Sequence, residues 1–312
     1  MEGQMSTLKN KELQMRFGII TMQRGALIPA GMSTEDAIAY IASLDHADLA
    51  QRLFRQGFDP IELGGDMSLF LPQSFSPATV DRLLNLKAEM GVTYTVHLPL
   101  WSLEPSTPLA PVREGSVQIV TEMIRATRSL VPECYVLHAT GALAAEFYRM
   151  NLPDLAKGLL LQQFQGHARQ SIQAILDETG LSSRKLAIET IEFPLDLTLE
   201  LAEDLDLSLC LDTGHVLAGF SGPVRLAEAL EHCLPRLAEV HLHDAPEQGS
   251  DGEIGYGKDH QPLGTGDLDV GGFLDRLAEA RFDGPLIFEL TVEEALASME
   301  VIHAVRPAVM PG

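Results

Sequence analysis

Basic residues are scarce in this chain: 22 Lys and Arg stand against 44 Asp and Glu, a formal net charge of −22. Such an acidic surface repels phosphate backbones, and no Lys/Arg cluster is present to build a local basic channel, so nucleic acid is not an expected partner. Cysteine is sparse too. Cys134, Cys210 and Cys233 are odd in number, far apart and without a CxxC pair, which excludes a disulfide framework. Cys134 and Cys210 fall in apolar runs, where a thiol serves as a small buried hydrophobe. No apolar run approaches the roughly 20 residues of a membrane helix. The polar stretch Met1 to Met15 has no apolar segment of a secretory signal. A soluble protein of the reducing cytoplasm is expected, with residues 1–15 as a flexible N-terminal extension.

What is present is a large apolar fraction, 46% of 312 residues, enough for two average domains or one large α/β barrel. Short apolar runs recur along the chain: Arg16–Ile20, Pro60–Leu63, Val92–His97, Cys134–His138, Leu186–Glu189, Leu207–Asp212, Ala238–His243 and Leu286–Leu290. Each is apolar nearly throughout, as strands of a parallel sheet covered on both faces are. Between them lie amphipathic stretches, among them Thr34–Gln56, Pro77–Met90 stopped by Gly91, Val112–Leu130, His167–Thr179 and Thr291–Val305. Eight strand-then-helix units predict a single-domain (β/α)8 TIM barrel over residues 16–312. An open doubly wound sheet shares the same periodicity. Two long connections, near 139–166 and 244–267, are expected as loops at the barrel mouth.

The ends of the runs carry the chemistry. His97 and His138 end the third and fourth, Glu189 the fifth and Asp212 the sixth, with His215 three residues on. His241 and His243 lie in the seventh, and Glu289 ends the eighth. In a barrel these ends converge on one mouth. Imidazole and carboxylate are ligands for Zn, Mn, Fe or Co, and burying so many ionisable groups together is costly unless a cation compensates them. His243 is expected to point to the opposite face from His241.

The phrases Leu-Asp-Thr-Gly-His (211–215) and Val-His-Leu-His-Asp (240–244) resemble those of the xylose isomerase-like barrels. That superfamily includes sugar epimerases and isomerases as well as endonuclease IV-type phosphodiesterases. The resemblance implies that Glu189, Asp212, His241 and Glu289 bind the shared metal. It further implies that His97, His138, His215 and His260 hold additional ions, giving two or three divalent metals, Zn or Mn, per chain. Where the endonuclease IV-type branch has an Asp two residues before the last of these histidines, this sequence has Lys258, with Asp259 beside it as a substitute.

Two chemistries follow. With two or three ions, Glu189 would bridge them and a metal-activated water would hydrolyse a phosphodiester. Phrases around Tyr94–Leu100 and Leu209–Leu217 loosely resemble corrinoid (cobamide)-remodelling phosphodiesterases, and the charge favours a small substrate over DNA. With one ion, Glu189 and Glu289 would exchange a proton on opposite faces of a sugar or sugar phosphate, with His215 contacting it. The sugar branch carries an Arg just past the seventh strand, where this chain reads Ala245-Pro246-Glu247. A non-catalytic barrel that binds a ligand is the third reading, and a homo-oligomer is left open. Glu62 and Trp101 are candidate substrate contacts, and Gly264-Thr265-Gly266 is a weak phosphate-loop candidate. His46, His167, His232 and His303 read as ordinary helix residues.

Overall fold

The computed structural model describes residues 14–22, 31–249 and 252–310, so residues 1–13 of the expected extension lie outside it. Eight strands form the sheet: β1 (Arg16–Ile20), β2 (Ile61–Gly64), β3 (Tyr94–His97), β4 (Tyr135–Leu137), β5 (Leu186–Glu189), β6 (Ser208–Asp212), β7 (Leu237–His241) and β8 (Pro285–Phe288). They are all parallel and close in chain order, with Arg16 to Ile19 of β1 paired to Pro285 to Phe288 of β8. The expected (β/α)8 barrel is therefore what the chain forms, and the open sheet is excluded.

Helices fill the outer layer. They are α1 (Thr34–Ser43), α2 (His46–Arg55), the single turn α3 (Met67–Phe70), α4 (Pro77–Met90), α5 (Ala110–Thr127) and α6 (Ala142–Arg149). After them come α7 (Asp154–Thr179), α8 (Leu195–Asp204), the short α9 (Thr213–Leu217), α10 (Leu226–Cys233), α11 (Val270–Glu279) and α12 (Val292–Val305). Alternate strand residues, such as Ile19, Leu63, Val96, Ile188, Leu211 and Phe288, face these helices and are fully buried. The lumen instead holds small side chains, Cys134, Val136, Ala187 and Cys210. Small residues there leave room for polar groups.

Local chemistry explains where elements differ from expectation. The stretch expected as one helix over 34–56 is two, because the Asp45 carboxylate accepts the N–H groups of Ala47 and Asp48 and starts a new helix. Gly91, with φ 79°, ends α4 in the left-handed conformation, as its position suggested. The Thr291/Glu294 capping box starts α12. The connection 139–166 is not an open loop: it folds into α6 and the first half of the 26-residue α7. Its apolar stretch packs inward, since Ala144, Leu161, Phe164 and Phe193 form a cluster of their own.

His46 is not an ordinary helix residue either. It is 1% exposed, its Nε2 lies 2.9 Å from Thr21 Oγ1, and that hydroxyl also accepts the N–H of Gly64. The group ties the start of α2 to the ends of β1 and β2. Burial lowers the His46 pKa to about 4, so the ring is neutral in the fold.

Candidate metal centre

The barrel brings together the residues that end its strands. Asp212 on β6 is paired in register with His241 on β7, and both are fully buried. His241 Nδ1 lies 3.4 Å from Glu189 Oε1, 3.8 Å from Asp212 Oδ2 and 3.5 Å from Glu289 Oε1. Two atoms each bonded to one zinc-like ion at about 2.1 Å and a tetrahedral angle stand roughly 3.4 Å apart. The four donors are thus spaced as ligands of a common cation. Neither ring nitrogen of buried His241 has a hydrogen-bond partner, and Nδ1, which faces the three carboxylates, is the one placed to donate its lone pair to an ion.

A second donor set adjoins the first. His97 Nε2 and His138 Nε2 lie 3.2 and 2.9 Å from Glu189 Oε2. His97 Nδ1 is 2.9 Å from the Leu98 carbonyl, which can only accept, so its N–H points there and Nε2 is left for a cation. Burial disfavours charge on His97, but the Glu189 hydrogen bond and its charge outweigh this and raise the pKa to about 9. Without a cation, a proton stands in its place. Glu189 itself is held well below the usual carboxylate range despite burial, because His138 and His241 face it.

His215 and His260 border the third part of the site. His215 is raised to about 9, burial being outweighed by Asp212 and Glu189, and its ring stacks on Phe220 with centroids 5.0 Å apart. His260 Nε2 lies 3.1 Å from Glu289 Oε2, and its Nδ1 lies 2.6 Å from Asp259 Oδ2. That Asp259 oxygen is also 3.9 Å from His215 Nε2. Asp259 therefore stands where Lys258 cannot serve.

His243 departs from expectation. Residues two apart in an extended chain share a face, so His243 follows His241 and its ring turns into the site rather than away from it. Its Nδ1 accepts the N–H of His260, which leaves the proton on Nε2 to donate to Asp212 Oδ2 at 2.8 Å. The rings of His243 and His260 stack at 4.2 Å. A Cβ on Gly214 would fall 2.1 Å from His243 Nδ1, so glycine is what admits this ring. The Asp-Thr-Gly-His spacing carried that signal.

Glu62 is placed differently too. It lies two residues inside β2, is fully buried, and sits beneath His241 rather than at the mouth. Its Oε1 and Oε1 of Glu239 are each 3.4 Å from His241 Nε2. Thr95 donates to Glu62 at 3.2 Å, and the Cys134 thiol donates to Glu239 at 2.9 Å. Burial and the facing Glu62 push Glu239 well above the usual carboxylate range, whereas His241 holds Glu62 below it despite burial. Sequence reasoning passed over Glu239 because an isolated Glu in an apolar run reads as surface. A register shift between Leu209 and Cys210 pairs Cys210 with Glu239 beside the lumen.

Gly264-Thr265-Gly266 binds no phosphate with the N–H groups of its glycines. Both, with those of Ala245 and Leu268, donate at 2.9–3.0 Å to the carboxylate of buried Asp244. This clamp shapes the 244–267 connection, which carries Asp259 and His260 to the mouth.

Above the donors is a cavity of about 790 Å³ lined by His97, His138, Glu189, His215, His260 and Glu289 together with the apolar Met22, Leu100, Trp101 and Leu290. Among the described residues that line it there is no Lys or Arg.

Comparison with known proteins agrees with this geometry. Residues 50–305 match a family described as "Xylose isomerase-like TIM barrel". The uncharacterized protein MJ1311 of Methanocaldococcus jannaschii is 23% identical over 263 residues, 81% of this chain and 82% of that one. Among solved structures, a D-tagatose 3-epimerase-like protein superposes with a TM-score of 0.67 at 19% identity, covering 95% of this chain and 98% of that one. Endonuclease IV from Thermus thermophilus superposes with a TM-score of 0.61 at 19% identity, covering 93% and 98%.

Proposed function

The chain belongs to the xylose isomerase-like TIM barrel family, and from that premise we propose that it is a divalent-metal-dependent hydrolase of a small phosphodiester. One observation carries the reading. The two oxygens of Glu189 face different donor sets, Oε2 towards His97 and His138 and Oε1 towards His241. A carboxylate so placed suits a bridge between two cations, with His97 and His138 as ligands of the second.

Divalent ions, Zn or Mn, held there would supply Lewis acidity that offsets phosphate charge and acidifies water. The protein's own part is to fix the donors. Asp212 is oriented by the N–H of His215 at 2.7 Å and by His243. Glu62 and Glu239 hold His241 with Nδ1 towards the rim. His215 and His260 line the mouth, and His215 offers its Nε2–H to a substrate phosphoryl oxygen. With no Lys or Arg in the lining, charge neutralisation falls on ions and imidazoles. The third donor group, His215, His260 and Asp259, allows a third ion. We place the enzyme in the cytoplasm: its three cysteines are free and buried, and no helix among the described residues is long and apolar enough to cross a membrane. A corrinoid-type phosphodiester is the finer reading favoured by the phrases at 94–100 and 209–217.

A second reading, sugar isomerisation or epimerisation, draws on Glu189 and Glu289, both next to His241 Nδ1 and both lining the cavity. Turnover separates the two. Metal-loaded protein should release 4-nitrophenol from bis(4-nitrophenyl) phosphate and leave ketoses unchanged. The reverse outcome would establish the sugar chemistry.

A further inference from the structure

Trp101 lines the cavity and belongs to none of its donor sets. Trp101 follows β3 and Phe70 ends α3 after β2, and their rings meet edge to face with centroids 5.9 Å apart. Both are exposed, Trp101 at 46% and Phe70 at 57%. Leaving large apolar rings in water forgoes the stabilisation that burial would give, roughly 25 cal/mol per Å². The backbone nevertheless holds Trp101 firmly at that position. The carboxylate of Asp66, itself 1% exposed, accepts the N–H of Leu100 at 3.0 Å and of Trp101 at 3.3 Å. The Gly65 N–H donates to the His97 carbonyl at 2.7 Å, and a Cβ there would fall 2.6 Å from Pro99 Cδ. The two loops are locked to each other and to the strand that ends in a metal-type histidine. Trp101 lines the same cavity as Met22, Leu100 and Leu290 and as the donors Glu189 and His215.

We propose that Trp101, backed by Phe70, forms a stacking platform for an aromatic, flat ester group of the substrate whose phosphoryl group lies against the donors of the same cavity. The inference rests on the phosphodiesterase reading and names the kind of ester that site takes. Charge and size agree. No Lys or Arg in the lining would hold a second anionic group, and the cavity of about 790 Å³ leaves room for an ester group beside the phosphoryl group. A ring stacked on an aromatic side chain gains about 1–3 kcal/mol, which corresponds to roughly 5- to 150-fold in affinity.

Trp101 is the chain's sole tryptophan, so its fluorescence reports directly on the platform. The probes are phenylphosphonate and methylphosphonate, which share a headgroup and cannot be hydrolysed, titrated into zinc-loaded protein by fluorescence and calorimetry. We expect phenylphosphonate to bind about tenfold more tightly and to change the indole emission, which methylphosphonate leaves unchanged. Trp101→Ala should remove that tenfold advantage without altering methylphosphonate affinity, Trp101→Phe should keep most of it, and Phe70→Ala should lose part. Equal affinity of both probes for the wild type, or an equal loss of both in Trp101→Ala, would overturn the platform and leave the hydrolase intact. Binding of neither probe, with ketoses bound instead, would overturn the hydrolase reading and this ligand with it.

Discussion

At the scale of single residues, the site works by giving each polar atom one direction. His241 is the clearest case: one ring nitrogen faces three carboxylates at the rim and the other faces two inside the lumen. A histidine ligand whose second nitrogen is held by carboxylate is more basic and fixed in tautomer, and losing that support typically costs 10- to 100-fold in metal affinity. Glu239→Ala should therefore weaken zinc binding by about that factor in a chelator competition. Glu239→Gln, whose amide oxygen still accepts, should retain most of it. Unchanged affinity in Glu239→Ala would show that Glu62 alone sets the ring. The rim donors were legible in the sequence because each ends an apolar run. Glu239 and His243 were open to the same reading, since residues two before and two after His241 share its face, whereas the place of Glu62 depends on where β2 stops.

At the scale of elements, connections between layers decide more than strand boundaries do. The His46–Thr21–Gly64 group joins α2 to the ends of two strands, and it is sensitive to pH. Burial lowers the His46 pKa from 6.5 to about 4, so the unfolded chain takes up this proton first as pH falls. Above pH 6.5 the group costs nothing. Between 6.5 and 4 it destabilises the fold progressively, by about 3 kcal/mol in the limit, and below 4 the penalty no longer grows. Urea midpoints measured from pH 7 to pH 4 should thus fall more steeply for the wild type than for His46→Leu. Parallel slopes would mean that the ring is protonated in the fold. Helix starts at Asp45 and Thr291 follow local capping chemistry, but the split of residues 34–56 was hidden by continuous apolar spacing. The helical fold of 142–166 was hidden by Pro153 between its two helices and by apolar residues that follow no clear helical spacing.

At the scale of the whole molecule, closure of eight parallel strands is what turns donors separated by up to about 190 residues into neighbours, since His97 and Glu289 line one cavity. Closure was inferable from the count of strand–helix units, although periodicity alone does not distinguish a barrel from an open sheet. The excess of acidic residues limits what approaches the mouth, and the ions would supply the positive charge that the lining lacks.

The most direct measurement is elemental analysis of protein purified without chelator, wild type beside Glu189→Ala. We expect two or three divalent ions per folded wild-type chain, with loss of metal in the variant while its circular dichroism is unchanged. A wild type holding one ion or none, or a Glu189→Ala protein with undiminished metal, would contradict a centre bridged by Glu189.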